Sequence, residues 1–153
     1  METTPVSADA RTFILFNVAG TTYAAPSRQV RHIEMIDEIT PVPNAAAHIE
    51  GVVFSRGQVV PVVNLRVRFG FERAERDIRS RLLVVEAGGR TVGLLADEAR
   101  EFVTIPEAAV HPPNASLSGV SGNYIEGIAT LADRIVLLLD VQDVIGVAPP
   151  AAA

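Results

Sequence analysis

Residues Ile49 to Leu65 read IEGVVFSRGQVVPVVNL, and the pattern returns as IEGIATLADRIVLLLDV at Ile125 to Val141. The two copies align without a gap at a constant offset (125 − 49 = 76). In each copy two apolar, β-branched runs flank a short polar tip, which is typical of a β-hairpin. A repeat of this length indicates two structurally related halves.

The copies differ most at the tip, which reads SRGQ at Ser55–Gln58 and LADR in the second copy. Features that both copies keep are explained by a shared scaffold. A group that only one copy carries is a candidate for a task that the scaffold does not require, and Arg56 is the first such candidate.

Two further hairpins are predicted at residues 13–25 and 81–96, the second turning at Gly88 and Gly89 with positive φ at both positions. Each half then has about five short strands and almost no long helix. Strands this short favour small closed barrels, because closure removes exposed sheet edges. Halves of about 70 residues are marginal alone, so we expect them to share an interface.

The run Val59–Val63 is continuously apolar, which predicts a strand covered on both faces. Pro61 cannot donate to a ladder, so we expect this strand to lie at an edge or to be bulged there. The predicted organisation is a disordered leader at 1–10, one domain at 11–147 and a disordered tail at 148–153. Within the domain the halves run from about 11 to 75 and from 80 to 147, with an exchange of strands left open.

Composition excludes several classes of function. The chain has no cysteine and no lysine, and its formal net charge is −5. Disulfides and thiolate chemistry are therefore excluded, and nucleic-acid binding lacks the clustered positive charge that it needs. No apolar run approaches the roughly 20 residues of a membrane span, so we expect a cytoplasmic protein without membrane insertion.

No catalytic, metal or cofactor site is predicted. The histidines His32, His48 and His111 share no metal-ligand spacing. Asp140 and Asp143 form an acidic pair, but Asp140 stands where the first copy has Asn64, which favours a cap or turn. We therefore expect a binding protein and not an enzyme.

The stretch from Ile49 to Arg66 resembles the signature of CheW-like coupling proteins, hydrophobic-x-Gly-Val-x-Asn-Leu-Arg-Gly-x-(Val/Ile)-(Val/Ile)-Pro-(Val/Ile)-Val-Asp-Leu-Arg. The likeness extends from about Arg11 to Ile145. It implies an all-β fold of two packed SH3-like five-stranded barrels with short helical turns. It also implies a non-enzymatic chemotaxis adaptor that joins the regulatory domain of the histidine kinase CheA to the cytoplasmic tip of chemoreceptors.

The resemblance places the partner surface at three family positions, Val30, Gly51 and Arg56. We add the neighbours of Arg56 on the same hairpin, which are Phe54, Ser55, Gly57 and Gln58. The chain departs from the family pattern in Phe54-Ser55 for Asn-Leu, in His32 for an acidic residue and in Asn64 for Asp. Two alternatives stay open: a coupling protein of a pilus-motility or other CheA-like pathway, and a regulator that binds a small ligand in the cleft between barrels.

Overall fold

A computed structural model describes residues 10–112, 124–132 and 134–146 of the chain. Two short helices follow the two repeated hairpins, α1 (Leu65–Arg68) and α2 (Val141–Ile145), and 3₁₀ turns lie at Ser27–Gln29 and Glu107–Ala109. No helix in the described ranges is long and apolar enough to cross a bilayer. The strands are β1 (Ala10–Val18), β2 (Thr21–Pro26), β3 (Val30–Met35), β4 (Ile49–Ser55), β5 (Gln58–Asn64), β6 (Arg81–Ala87), β7 (Arg90–Ala96), β8 (Glu98–Pro106), β9 (Val110–His111), β10 (Ile125–Leu131) and β11 (Arg134–Leu139).

The strands form two sheets, in the orders β8-β1-β2-β11-β10-β9 and β3-β6-β7-β5-β4. This confirms the all-β prediction of two packed, SH3-like subdomains, with β9 as a two-residue addition to the six-stranded sheet. The end strands β3 and β4 of the five-stranded sheet are joined by side-chain hydrogen bonds of Ser55 to His32 and to Glu34. These bonds link the two ends of that sheet.

The two halves of the sequence exchange their first hairpins. The hairpin β1–β2 belongs to the sheet formed by β8 to β11, whereas β6–β7 belongs to the sheet of β3 to β5. The exchange is symmetrical, because β1 pairs with β8 as β6 pairs with β3, and β2 runs parallel to β11 as β7 does to β5. Each sheet is completed by strands from both halves.

The core follows from this exchange. The four consecutive residues Phe13 to Phe16 of β1 are all buried, with Phe13 and Leu15 packed in the cluster of the six-stranded subdomain. Their neighbours Ile14 and Phe16 pack in a larger cluster that includes residues of both sheets, such as Val63 of the five-stranded sheet. The shared interface that the short halves required is therefore present, and it contains much of the buried apolar surface.

The prediction for Val59–Val63 is only partly correct. Val60, Val62 and Val63 are buried, but Val59 is 62% exposed. β5 is an interior strand with no bulge at Pro61, so that expectation is wrong. Its pairing with β7 begins at Val62, so the missing donor of Pro61 falls where β5 pairs on one side only.

Local signals of the repeat are confirmed. Gly88 and Gly89 have φ of +59° and +76°, as the predicted turn requires. Asn64 and Asp140 are equivalent helix N-caps, whose side chains accept hydrogen bonds from the amides of Val67 and Asp143. Asp140 thus has the structural role that its match to Asn64 predicts.

A candidate partner-binding hairpin

The β4–β5 hairpin turns through two residues. Ser55 pairs with Gln58, and Arg56 and Gly57 between them have φ of +49° and +86°. Positive φ at both central positions is typical of a type I′ turn. Glycine adopts this conformation freely, whereas an arginine there costs about 1–2 kcal/mol. The turn therefore fixes Arg56 at the tip of the hairpin in a conformation that most sequences avoid.

An apolar pair lies on the exposed face of this hairpin. Phe54 and Val59 are cross-strand partners, and they are 75% and 62% exposed. Arg56 follows on the turn with 70% of its side chain exposed. Val59 was not among the residues predicted for the partner surface, because the run Val59–Val63 was interpreted as buried throughout. A two-residue turn at Arg56 and Gly57 would have placed Val59 opposite Phe54, so the register was available in the sequence.

A polar cluster joins the hairpin to β3, and it consists of His32, Glu34, Ser55 and Arg56. His32 Nε2 lies 2.6 Å from Glu34 Oε2 and 3.2 Å from Ser55 Oγ, and the Ser55 hydroxyl donates to the same Glu34 oxygen at 2.5 Å. Arg56 Nε lies 4.0 Å from that oxygen. His32 and Glu34 share one face of β3 because they are two residues apart. The cluster therefore ties the Arg56 turn to β3.

A serine, a histidine and a glutamate together invite comparison with a hydrolase triad. In a triad the serine and the carboxylate use opposite ring nitrogens of the histidine. Here both lie at Nε2 of His32, and the hydroxyl of Ser55 donates to Glu34. Ser55 is only 5% exposed, so a substrate has little access to it. The arrangement is a structural hydrogen-bonded cluster and not an activated nucleophile.

Three residues of the cluster, His32, Ser55 and Arg56, line a cavity of about 440 Å³. Arg31 and Glu86 line the same cavity and form an ion pair with each other. The remaining lining residues are Gln58, Val60, Val84 and Thr91. Charges of both signs border the cavity, so it has no strong single-sign field.

Gly51 is placed by backbone requirements. It lies at a register shift between β4 and β5, with φ of +147°. A Cβ there would lie 2.2 Å from the carbonyl oxygen of Thr40, which accepts a hydrogen bond from Val52. Gly127 occupies the matching shift between β10 and β11. The recurring glycine therefore marks a bulge common to both hairpins.

Val30 begins β3, directly after the 3₁₀ turn at Ser27–Gln29, and packs partly buried against the shared core. It precedes His32 on the strand that carries the polar cluster. Of the predicted site residues, the structure thus gathers Phe54, Ser55, Arg56, Gly57 and Gln58 on one hairpin. It places Val30 on the strand facing them and Gly51 beneath Thr40.

The second repeated hairpin, β10–β11, is related but chemically different. Ile135, the counterpart of Val59, is 61% exposed, and its cross-strand partner is Thr130, where the first hairpin has Phe54. Residue 133, at the predicted tip of this second hairpin, lies outside the described residues. The pairing of an exposed aromatic with an exposed aliphatic residue is therefore specific to the first hairpin.

The other candidate chemistry of the sequence stays apart from this hairpin. His48 contacts Arg68, and burial and that arginine lower the His48 pKa. His111 lies on β9 in the other sheet. Across the described ranges no group of three or more His, Asp or Glu residues is arranged to hold a metal ion.

The repeat also places two carboxylates where the first half has a hydrogen bond. Glu50 accepts from the side-chain amide of Asn64 at 3.1 Å. Their counterparts are Glu126 and Asp140, and an ionised aspartate cannot donate. Burial raises the pKa of the Glu126 carboxyl, Arg11 opposes this, and Asp140 adds to the rise.

A larger cavity of about 640 Å³ lies beside the link that joins the halves. It lies on the flank of the five-stranded subdomain, so it is not a cleft between the two barrels. Its lining mixes apolar side chains with charges of both signs, and comprises Met35, Ile36, Asp37, Glu50, Arg73, Ala74, Glu75, Arg76, Asp77, Ile78 and Ser80.

Comparison with known proteins agrees with the fold. The family model of the CheW-like domain matches residues 12–148. The chemotaxis protein CheW of Rhizobium meliloti is 28% identical over 134 residues, covering 88% of this chain and 86% of that protein. That of Thermotoga maritima is 32% identical, covering 76% and 77%.

Among solved structures, the scaffolding protein TtCheW of Thermoanaerobacter tengcongensis superposes with a TM-score of 0.83 at 27% identity. The match covers 90% of this chain and 93% of that protein. The exchanged subdomains, the repeated bulged hairpins and these matches together show that the chain belongs to the CheW-like family of chemotaxis adaptor proteins.

Proposed function

We propose that this protein couples chemoreceptors to the histidine kinase CheA, with the β4–β5 hairpin as part of its partner surface. Family membership supports the role, and the hairpin supplies a surface suited to it. The partners would be the CheW-like regulatory domain of the kinase and the cytoplasmic tip of the receptors. Both act in the cytoplasm, so we place this protein there as well.

The observation that carries the proposal is the exposed Phe54–Val59 pair beside Arg56. Aromatic residues and arginine are enriched among interface residues that dominate binding energy. Phe54 and Val59 together offer apolar area that gains free energy when a partner covers it. The guanidinium of Arg56 can bind a carboxylate or helix-end carbonyls through two donors at once. Because the turn fixes its backbone, little main-chain entropy is lost on binding.

We propose that the protein acts without chemistry of its own. An adaptor of this kind changes the activity of a kinase by holding it in a defined geometry with its receptor. The Ser55 cluster lacks triad geometry, and the described residues contain no metal-binding group. The function therefore depends on contact surfaces and on their relative placement in the two subdomains.

The test is the variant Arg56→Glu, with Arg100→Glu as its matched control. Arg100 is also exposed but lies on β8 of the six-stranded sheet. Affinity for the purified CheA homologue of the same organism, and for a soluble receptor fragment, is measured by calorimetry. We expect Arg56→Glu to weaken at least one association by about 2–4 kcal/mol, the range of dominant interface residues. Arg100→Glu should leave both unchanged.

Both variants should melt at the temperature of the unmodified protein, since their side chains are exposed. Equal affinities for Arg56→Glu and the unmodified protein, with both partners, would remove the hairpin tip from the partner surface.

A further inference from the structure

We propose that His32 is a positioning residue that sets how strongly Glu34 holds Arg56. Through it the hairpin tunes its affinity for a partner segment that presents a carboxylate beside an apolar side chain. This inference rests on the proposed function and deepens it, because it names the chemistry that the partner offers and how this chain regulates the contact.

The first step is that one oxygen of Glu34 serves three groups. Oε2 lies 2.6 Å from His32 Nε2, accepts from Ser55 at 2.5 Å and lies 4.0 Å from Arg56 Nε. Three-quarters of the Glu34 side chain is covered, since only 25% of it is exposed. A carboxylate with this much covered surface is screened less by water than an exposed one. Its interaction with Arg56 therefore depends on the charge of its other partners.

The second step concerns the proton on His32. A carboxylate only accepts hydrogen bonds, so Nε2 must carry a hydrogen in the neutral ring, and it is Nδ1 that gains the second proton. With a neutral ring, the full charge of Glu34 attracts Arg56 toward β3. With a charged ring, that charge is compensated at 2.6 Å. Arg56 is then released toward solvent and toward a partner.

Among the described residues that line the cavity, no other charge overrides this effect. On β3, Arg31 faces the same cavity, and across from it on β6 lies Glu86. These two form an ion pair with each other, so they add little net charge at His32. The remaining charged group at the cavity is Arg56 itself, whose exposed position makes it the group that can move.

His32 on β3 and Ser55 on β4 are in contact with each other. Their side chains meet at 3.2 Å, and both hold Glu34. A leucine at residue 55 could not donate to Glu34. His32 and Ser55 together therefore build the shared carboxylate site.

The chemistry of the partner follows from the exposed face. Phe54 and Val59 require an apolar side chain opposite them, and a released Arg56 requires an acceptor with negative charge. An apolar residue next to an aspartate or glutamate, on one face of a helix or hairpin, supplies both. Such a segment should bind more tightly as His32 becomes charged.

The experiment measures affinity for the CheA homologue and for the receptor fragment at a series of pH values from 6 to 8. For the partner whose binding Arg56→Glu weakens, we expect the affinity to be about two- to five-fold higher at pH 6 than at pH 8. The change is this small because exposed ion pairs are weak. His32→Gln keeps a neutral donor to Glu34 and should remove this pH dependence at unchanged fold. The Glu34→Gln variant should bind this partner with the higher affinity, that of the unmodified protein at pH 6, at every pH tested.

His111→Gln is the matched control, since it removes an exposed histidine from the other sheet, and it should retain the full pH dependence. The inference is overturned when His32→Gln keeps the pH dependence of the unmodified protein, or when the unmodified protein has none. In that case only this inference fails and the proposed function stands, provided that Arg56→Glu still weakens binding. Loss of any effect of Arg56→Glu at both pH values contradicts the proposed function instead.

Discussion

Replacing Gly51 with alanine should destabilise the protein by about 2–6 kcal/mol. The new Cβ would lie 2.2 Å from the carbonyl oxygen of Thr40, so Thr40 must move. Two backbone hydrogen bonds between Thr40 and Val52, at 2.9 and 2.8 Å, would then break. Each contributes about 0.5–1.5 kcal/mol. The φ of +147° adds about 1–3 kcal/mol of backbone strain for a residue with a side chain.

Gly127→Ala is the matched control from the other half. Gly127 occupies the equivalent bulge, but the tightest contact of its added Cβ would be the side chain of Val110, at 3.0 Å. The carbonyl oxygen of His111, at 3.4 Å, and Leu138, at 3.5 Å, would lie at ordinary van der Waals distance. A valine can shift by a few tenths of an ångström, so the cost should be about 1 kcal/mol or less. Urea unfolding followed by circular dichroism measures both values. Equal stability of the two variants would refute the assignment of Gly51 to the Thr40 contact.

Comparing Gly51→Ala with Arg56→Glu shows whether Gly51 supports the fold or touches the partner. At a temperature where Gly51→Ala remains folded, its affinity for the CheA homologue should differ from that of the unmodified protein by less than the change caused by Arg56→Glu. A larger loss of affinity in a fully folded Gly51→Ala protein would show that the bulge itself touches the partner.

Two further predictions concern stability and the exposed pair. Val60→Ala should cost about 2 kcal/mol of unfolding free energy, whereas its neighbour Val59→Ala should leave stability unchanged and weaken partner binding; thermal melts and calorimetry separate the two effects. Glu126→Gln should stabilise the protein at neutral pH. Because the folded-state pKa of Glu126 is raised, its contribution to stability is fully present below the unfolded pKa and is lost as pH rises through the folded value. The gain should be under about 1 kcal/mol, since a third of the side chain is exposed, and should vanish near pH 4. Destabilisation by Glu126→Gln at pH 7 would contradict the sign.

Much of the candidate site could be predicted from the sequence, but the polar cluster that joins the hairpin to β3 could not. Arg56 stands out because it lies at a tip that the second copy does not share. Val59 was not predicted as an exposed residue, because Val59–Val63 is continuously apolar and shows no alternation of apolar and polar residues. The two-residue turn nevertheless pairs Val59 with Phe54 on the exposed face. His32 was identified as a departure, yet its contact with Ser55 joins strands separated by 23 positions in the chain. That contact joins the two end strands of the sheet, and no local pattern encodes their approach.

The sequence by itself determined the repeated hairpins, their glycine turns and the equivalent caps at Asn64 and Asp140. These features depend on residues within a few positions of one another, so local backbone preferences and side-chain alternation specify them. Only the tertiary structure decided that the hairpins β1–β2 and β6–β7 each join the sheet of the opposite half. The reason is physical: burial of apolar surface is non-directional, so the sequence of an apolar hairpin does not specify which half covers it. In the structure, residues of both sheets pack in one shared core, and this packing selects the partner.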